Sequence, residues 1–191
     1  MAIVRIGITG HRHLGELEKI MAGVDSAVTR ILARFPDSDF RILSALAEGA
    51  DQILAKRLLL VPDSKLWVPL PLPKEEYLKD FRTVQTKEEF TSLLGEAERI
   101  ISMPQMEKRE EAYLAAGKYI VENSDLLLAV WDGKPARGKG GTAEIIGLAR
   151  RRGLPIAWIH VDNSLDGTAD AGVSGNKKDG VIFENFSSQR E

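Results

Sequence analysis

The sequence has no cysteine among its 191 residues. That excludes disulfide frameworks, thiolate zinc sites and a cysteine nucleophile. It also has no basic excess: 26 Lys and Arg stand against 28 Asp and Glu, for a formal net charge of -2. Such a balance does not favour nonspecific binding to a nucleic-acid backbone, so nucleic acid is not an expected partner. No apolar run approaches the roughly 20 residues of a membrane helix. The chain enters Ile3-Val4-Arg5-Ile6-Gly7-Ile8 directly, without a signal-peptide pattern. A cytoplasmic protein with no membrane partner is the expectation. His11 and His13 stand one residue apart with no matching acidic cluster nearby, a weak ligand pattern, so no metal site is expected. No cofactor is expected either, and no internal repeat is visible.

What is present suits one domain of ordinary size, with 43% hydrophobic and 28% charged residues. Short β-rich runs are read at Ile3 to Thr9, Phe40 to Leu43, Lys65 to Leu70, Leu126 to Trp131 and Ile156 to Val161. The third is read as ended by Pro69, Pro71 and Pro73, which lack backbone donors. Helical spacing runs from Leu17 to Phe35, where Pro36 stops it, and again after Gly49, from Glu110 to Asn123 and from Thr142 to Arg152. Between about Lys74 and Gln105 the apolar positions, Ile100 among them, predict one or two short helices over the sheet. Strands alternating with helices predict an α/β protein: a three-layer Rossmann-like fold with a mainly parallel sheet and helices on both faces. That domain is expected to span residues 1–162. Residues 163–191 are rich in Gly, Asp, Ser and Asn near their start and read as a flexible tail. In it, Val181-Ile182-Phe183 is expected as a short edge strand.

Three loops each follow a strand-like run and lead into a helix-like pattern, the arrangement that makes an anion-binding crevice at the carboxyl ends of parallel strands. In Thr9-Gly10-His11-Arg12, Gly10 gives a tight turn. Arg12 offers a planar pair of donors to a phosphate and His11 a hydrogen bond to ribose or base; the alternative is a solvated surface turn. In the stretch from Ser44 to Asp51, the small residues Ser44, Gly49 and Ala50 let backbone amides face a phosphate. Asp51 either meets the ligand or caps the helix, and Glu48 either bonds a ribose hydroxyl or sits in solvent. In the third loop, Gly133 follows Asp132, and Lys134, Arg137 and Lys139 form a basic stretch able to close over a phosphate. Gly140, Gly141 and Thr142 then present bare amides and a hydroxyl. Glu144 lies either beside the ligand or simply in the favourable field of the helix N-terminus. Arg109 reads as a phosphate clamp or as part of a solvated face, and Trp131 as core or as a ring facing the base or ribose. The segment Pro71 to Tyr77 reads as a lid or a dimer contact.

With these loops placed, the chain resembles the SLOG superfamily, the Rossmann-like group that unites Smf/DprA proteins with the LOG phosphoribohydrolases. Ser44-Ala45-Leu46-Ala47-Glu48-Gly49-Ala50-Asp51 resembles the S-G-x-A-x-G-I-D segment of the DprA branch. Gly10-His11-Arg12 sits where that branch has G-S-R, and Gly140-Gly141-Thr142-Ala143-Glu144 is similar to the G-G-T of DprA and the P-G-G-x-G-T-x-x-E of LOG. Gln52 and Ile53 stand where DprA has Ala-His, which speaks against a DNA-processing role. Asp132-Gly133 through Gly147 has a secondary similarity to nucleoside deoxyribosyltransferases. The resemblance implies a nucleotide or nucleotide-derived ligand, a homodimer by analogy, and a place as a sensor in prokaryotic defence or signalling. It also implies an alternative: hydrolysis or transfer at the N-glycosidic bond of a nucleoside monophosphate. There Glu144 would attack or stabilise the anomeric centre, Asp132 would protonate the leaving base and Arg109 would clamp phosphate. A DprA-like DNA-binding protein is the third and least favoured reading.

Overall fold

Ala2–Gly10 forms β1, whose residues Val4, Ile6 and Ile8 are buried. The computed structural model describes residues 2–135, 140–161 and 180–186, together with the backbone of 176–178. Leu17–Arg34 forms α1, which buries Ile20, Val24, Ala27, Val28 and Ile31 on one stripe and ends just before Pro36. Then follow β2 (Ser38–Leu43), α2 (Ala50–Leu59), β3 (Lys65–Leu70) and α3 (Lys74–Tyr77), with one further turn at Leu78–Asp80. Next come α4 (Val84–Gly95), β4 (Arg99–Ser102), α5 (Arg109–Glu122) and β5 (Leu126–Trp131). The described chain closes with α6 (Thr142–Arg151), β6 (Ile156–His160), β7 (Asn176–Lys178) and β8 (Val181–Glu184).

These strands form one sheet in the order β4-β3-β2-β1-β5-β6-β8-β7. The first six run parallel, and β8 and β7 continue the sheet antiparallel. Every residue of β5 is buried, as a strand covered on both faces requires. Its side chains alternate between two cores. Leu126, Leu128 and Val130 join Ile20, Val24 and Leu54 on the face covered by α1 and α2. Leu127, Ala129 and Trp131 join Ile120, Ile145 and Ile146 beneath α5 and α6. Each such fully buried aliphatic side chain contributes about 1.5–3 kcal/mol relative to exposure. The result is the three-layer α/β architecture expected from the alternation of strands and helices.

Three local expectations are corrected. Arg99–Ser102 is a strand paired with β3, not part of a helix. Four residues at a sheet edge, with Ile100 half exposed, carry no burial pattern by which a strand is recognised. Pro69 lies inside β3 rather than ending it. Pairing with β2 stops at Trp67, so the missing N–H of Pro69 removes no bond on that side. Val181–Glu184 is a strand, but β7 covers its outer side, so it is not the edge. Apart from this strand, its short partner and residues 180, 185 and 186, the expected tail lies outside the described residues. Among the described residues, no helix is long and apolar enough to cross a membrane.

Candidate functional site

Strand order reverses between β1 and β5: the chain moves outward through β2, β3 and β4, then returns to the other side of β1. Loops leaving two such neighbours diverge to opposite faces and open a crevice at their carboxyl ends. A cavity of about 770 Å³ lies there, within the range of small-molecule sites. Its walls come from the β1–α1 loop, α3, α5, the end of β5 and the head of α6.

The head of α6 supplies part of the wall. Gly140 has φ of 75° and lies 3.0 Å, measured from where a Cβ would stand, from the backbone of Glu110 and Leu114. Glycine is required there by both conformation and space. Its amide donates to Glu144 Oε2 at 2.7 Å. The amides of Glu144 and Ile145 both donate to Gly141 O, closing the first turn. Among the described residues, the amides of Gly141, Thr142 and Ala143 have no acceptor, and all three residues line the cavity. Three donors without an acceptor among the described residues, at the positive end of a helix, attract an anion.

The β1–α1 loop supplies another part of the wall. The His11 amide donates to Val130 O at 3.1 Å, and His11 Nε2 lies 3.0 Å from Asp132 Oδ1. That nitrogen is also 3.2 Å from the Asp132 amide. With a proton it donates to the carboxylate; bare, it accepts from the amide. Burial alone would raise the Asp132 carboxyl, but the Lys134 amide and His11 outweigh it and hold the group below the ordinary carboxylate range. Arg12 lies 5.4 Å over the ring of Tyr113, a cation–π contact at the cavity wall. Trp131 also lines the cavity, and its indole donates to Lys134 O. Trp131 is buried, as a core residue would be, so it serves both core and wall.

The second loop does not present its amides. The Ala50 amide donates to His11 O at 3.1 Å. Gly49 backs onto the carbonyl of Arg12, and a Cβ on Gly10 would stand 2.4 Å from that of Ala50. The first loop therefore plugs the start of α2, and the expected phosphate seat on Gly49 and Ala50 is not formed. Ser44 is fully buried; its hydroxyl accepts from the Leu46 amide and shapes the loop. Glu48 is neither in solvent nor in the cavity. Its carboxylate accepts from the Arg82 amide at 2.8 Å and from the Thr86 hydroxyl at 3.4 Å. Of this loop, Ala45, Ala47 and Asp51 reach the cavity. Asp51 is buried, accepts from the Ala47 amide, and is pushed up to about 7, first by burial.

Of the remaining expected residues, Gly10, His11, Arg12, Asp132, Lys134, Gly140, Gly141 and Thr142 come together on the cavity wall. Gly133 instead packs near the ring of Trp158, and Arg137 lies outside the described residues. Glu144 turns its carboxylate onto the Gly140 amide and is not part of the wall. Arg109 also lies off the wall. It donates to Asp80 Oδ1 and Glu76 O, both at 2.8 Å, tying α5 to the segment after α3. Asp80 also receives the hydroxyl of Tyr113. The wall further includes Tyr77, Tyr113, Ala116, Gly117 and Ile120, which sequence reasoning did not select as site residues. The signal was modest: a small-residue face at Ala112, Ala116 and Gly117 on α5, and a tyrosine after a proline-rich turn. Among the described residues, no group of three or more His, Asp and Glu side chains is placed to hold a metal ion.

No protein-family model matches the chain, and no curated protein matches it.

Glu48 yields a test that separates scaffold from site. Glu48→Ala leaves the Arg82 amide without its acceptor and is expected to lower stability by about 1–3 kcal/mol. Ligand affinity of the folded fraction should not change. Urea unfolding measures the first quantity and calorimetric titration the second.

Proposed function

We propose that this chain is a SLOG-like protein that binds a nucleotide or nucleotide-derived small molecule without turning it over, as a sensor would. The observation that carries the reading is the head of α6, where Gly141, Thr142 and Ala143 line a switch-point cavity and their amides have no acceptor among the described residues. A phosphate there would meet donors and a helix dipole, with Lys134 on the same wall. The remainder of the ligand would extend along the cavity toward Arg12 and Tyr113. Glu144 supports binding over glycosidic chemistry: its carboxylate is engaged with Gly140 and does not face the cavity.

Gly141→Asp tests the reading. Gly141 has φ of -79° and ψ of 164°, a conformation open to any residue, and caps α6 without a side chain. An aspartate there can accept from the free amides and favours the helix dipole, so stability is expected to rise by about 0.5–1 kcal/mol. The same carboxylate would occupy and repel the phosphate seat. Affinity for a nucleoside monophosphate should fall by about a hundredfold, the effect of like charges brought together. Titration calorimetry with a nucleoside monophosphate panel, and chromatography for released base, give the readouts. Unchanged affinity in Gly141→Asp, or release of free base by the wild-type protein, overturns the proposal.

A further inference from the structure

The cavity wall includes two buried polar side chains with no assigned work. Tyr77 is 2% exposed and lines the cavity, yet its hydroxyl has no hydrogen-bond partner among the described residues. Its ring is fixed edge-on against Phe81 and Phe90, with centroids 5.2 and 5.6 Å away, so the hydroxyl keeps one heading. Asp51 is 6% exposed and also lines the cavity. It accepts from the Ala47 amide and lies 3.5 Å from Ser44 Oγ, which leaves carboxyl valence unused. Both side chains reach the cavity, where a ligand can supply a further hydrogen-bond partner.

We propose that Asp51 and Tyr77 form a base-reading part of the cavity wall, which takes the purine edge where the exocyclic amino group of adenine stands beside the N7 acceptor. This rests on the nucleotide reading above. A protonated carboxyl presents one donor and one acceptor and closes a two-bond ring with that edge; an ionised carboxylate presents acceptors alone. Burial keeps a protonated population of Asp51 near neutrality. The charged and titratable groups that face Asp51 and Tyr77 are Arg12 from the β1–α1 loop, Tyr113 from α5 and Asp80 after α3. His11 and His13 line the same cavity. The pH dependence is therefore read as the difference between wild type and Asp51→Asn.

The experiment measures binding of adenosine monophosphate and inosine monophosphate by calorimetry at about pH 6 and about pH 8, on either side of neutrality. Wild type should prefer the adenine nucleotide by roughly tenfold or more, the worth of one good hydrogen bond to a charged or polar partner, and both nucleotides should bind more weakly at the higher pH, where the carboxylate has lost its donor. Asp51→Asn carries a donor and an acceptor at every pH, so it should keep the preference and lose its pH dependence. Tyr77→Phe, which removes one hydroxyl and keeps the ring, should weaken the amino-base nucleotide by roughly tenfold. Equal binding of the two nucleotides, or an unchanged pH profile in Asp51→Asn, overturns the base-reading role while leaving nucleotide binding intact. No binding of either nucleotide overturns both.

Discussion

Gly49→Ala is expected to lower stability by about 3 kcal/mol or more, enough to unfold a marginal domain. Gly49 has φ of 90° and ψ of -123°, a combination that L side chains rarely adopt. The added Cβ would also stand 2.3 Å from the carbonyl oxygen of Arg12 and 2.7 Å from that of His11. Those carbonyls cannot step aside cheaply. His11 is tied at both backbone groups, its amide to Val130 and its oxygen to Ala50. The lower entropy of the unfolded alanine chain favours the variant by only about 0.4–1 kcal/mol, so strain and clash decide the sign. Urea unfolding checks it; a midpoint equal to that of wild type would show that the interlocked loops yield freely.

Asp51→Asn should stabilise the fold, and by more as pH rises. In the folded protein burial pushes the Asp51 carboxyl up to about 7, whereas an unfolded aspartate titrates near 3.9. Below about 3.9 both states carry the proton and there is no penalty. Between the two values the unfolded chain releases its proton while the folded protein keeps it, so stability falls as pH rises. Above about 7 the full penalty applies, roughly 4 kcal/mol at most. Asparagine has nearly the same shape and never ionises, so its advantage over wild type should widen between about pH 5 and about pH 8. Urea unfolding across that range gives the two curves. Parallel curves would mean that the carboxyl is well solvated or well paired.

The sheet was legible where burial wrote itself into consecutive residues. Leu126–Trp131 is an unbroken apolar run because both faces of β5 are covered, and its limits match the reading. Arg99–Ser102 was illegible because an edge strand of four residues carries little burial to read. The site was legible where function and local structure coincide. The turn after β1 and the head of α6 were both placed on one crevice from glycine and polar patterns alone. The head of α2 misled: Gly49-Ala50-Asp51 looks like a phosphate seat, but its amide is taken by His11, far away in sequence. Tyr77 and Tyr113 meet only through the fold, so no spacing announced them. Glu144 was half legible, since a carboxylate in the first helical turn commonly reaches back to a preceding amide.

Gly10, Gly49 and Ala50 meet as parts of a lock, with the β1–α1 turn seated on the start of α2 so closely that neither side has space for one more carbon. Between Gly10 and Ala50, side-chain size on one side therefore limits size on the other, while Gly49 has backbone carbonyls against it and no side chain to trade with. Over evolutionary drift these positions are bound to change together or to stay as they are. Distant descendants of the same ancestor are then best traced by that triplet and its spacing, even after the cavity-facing side chains have been exchanged for a different guest.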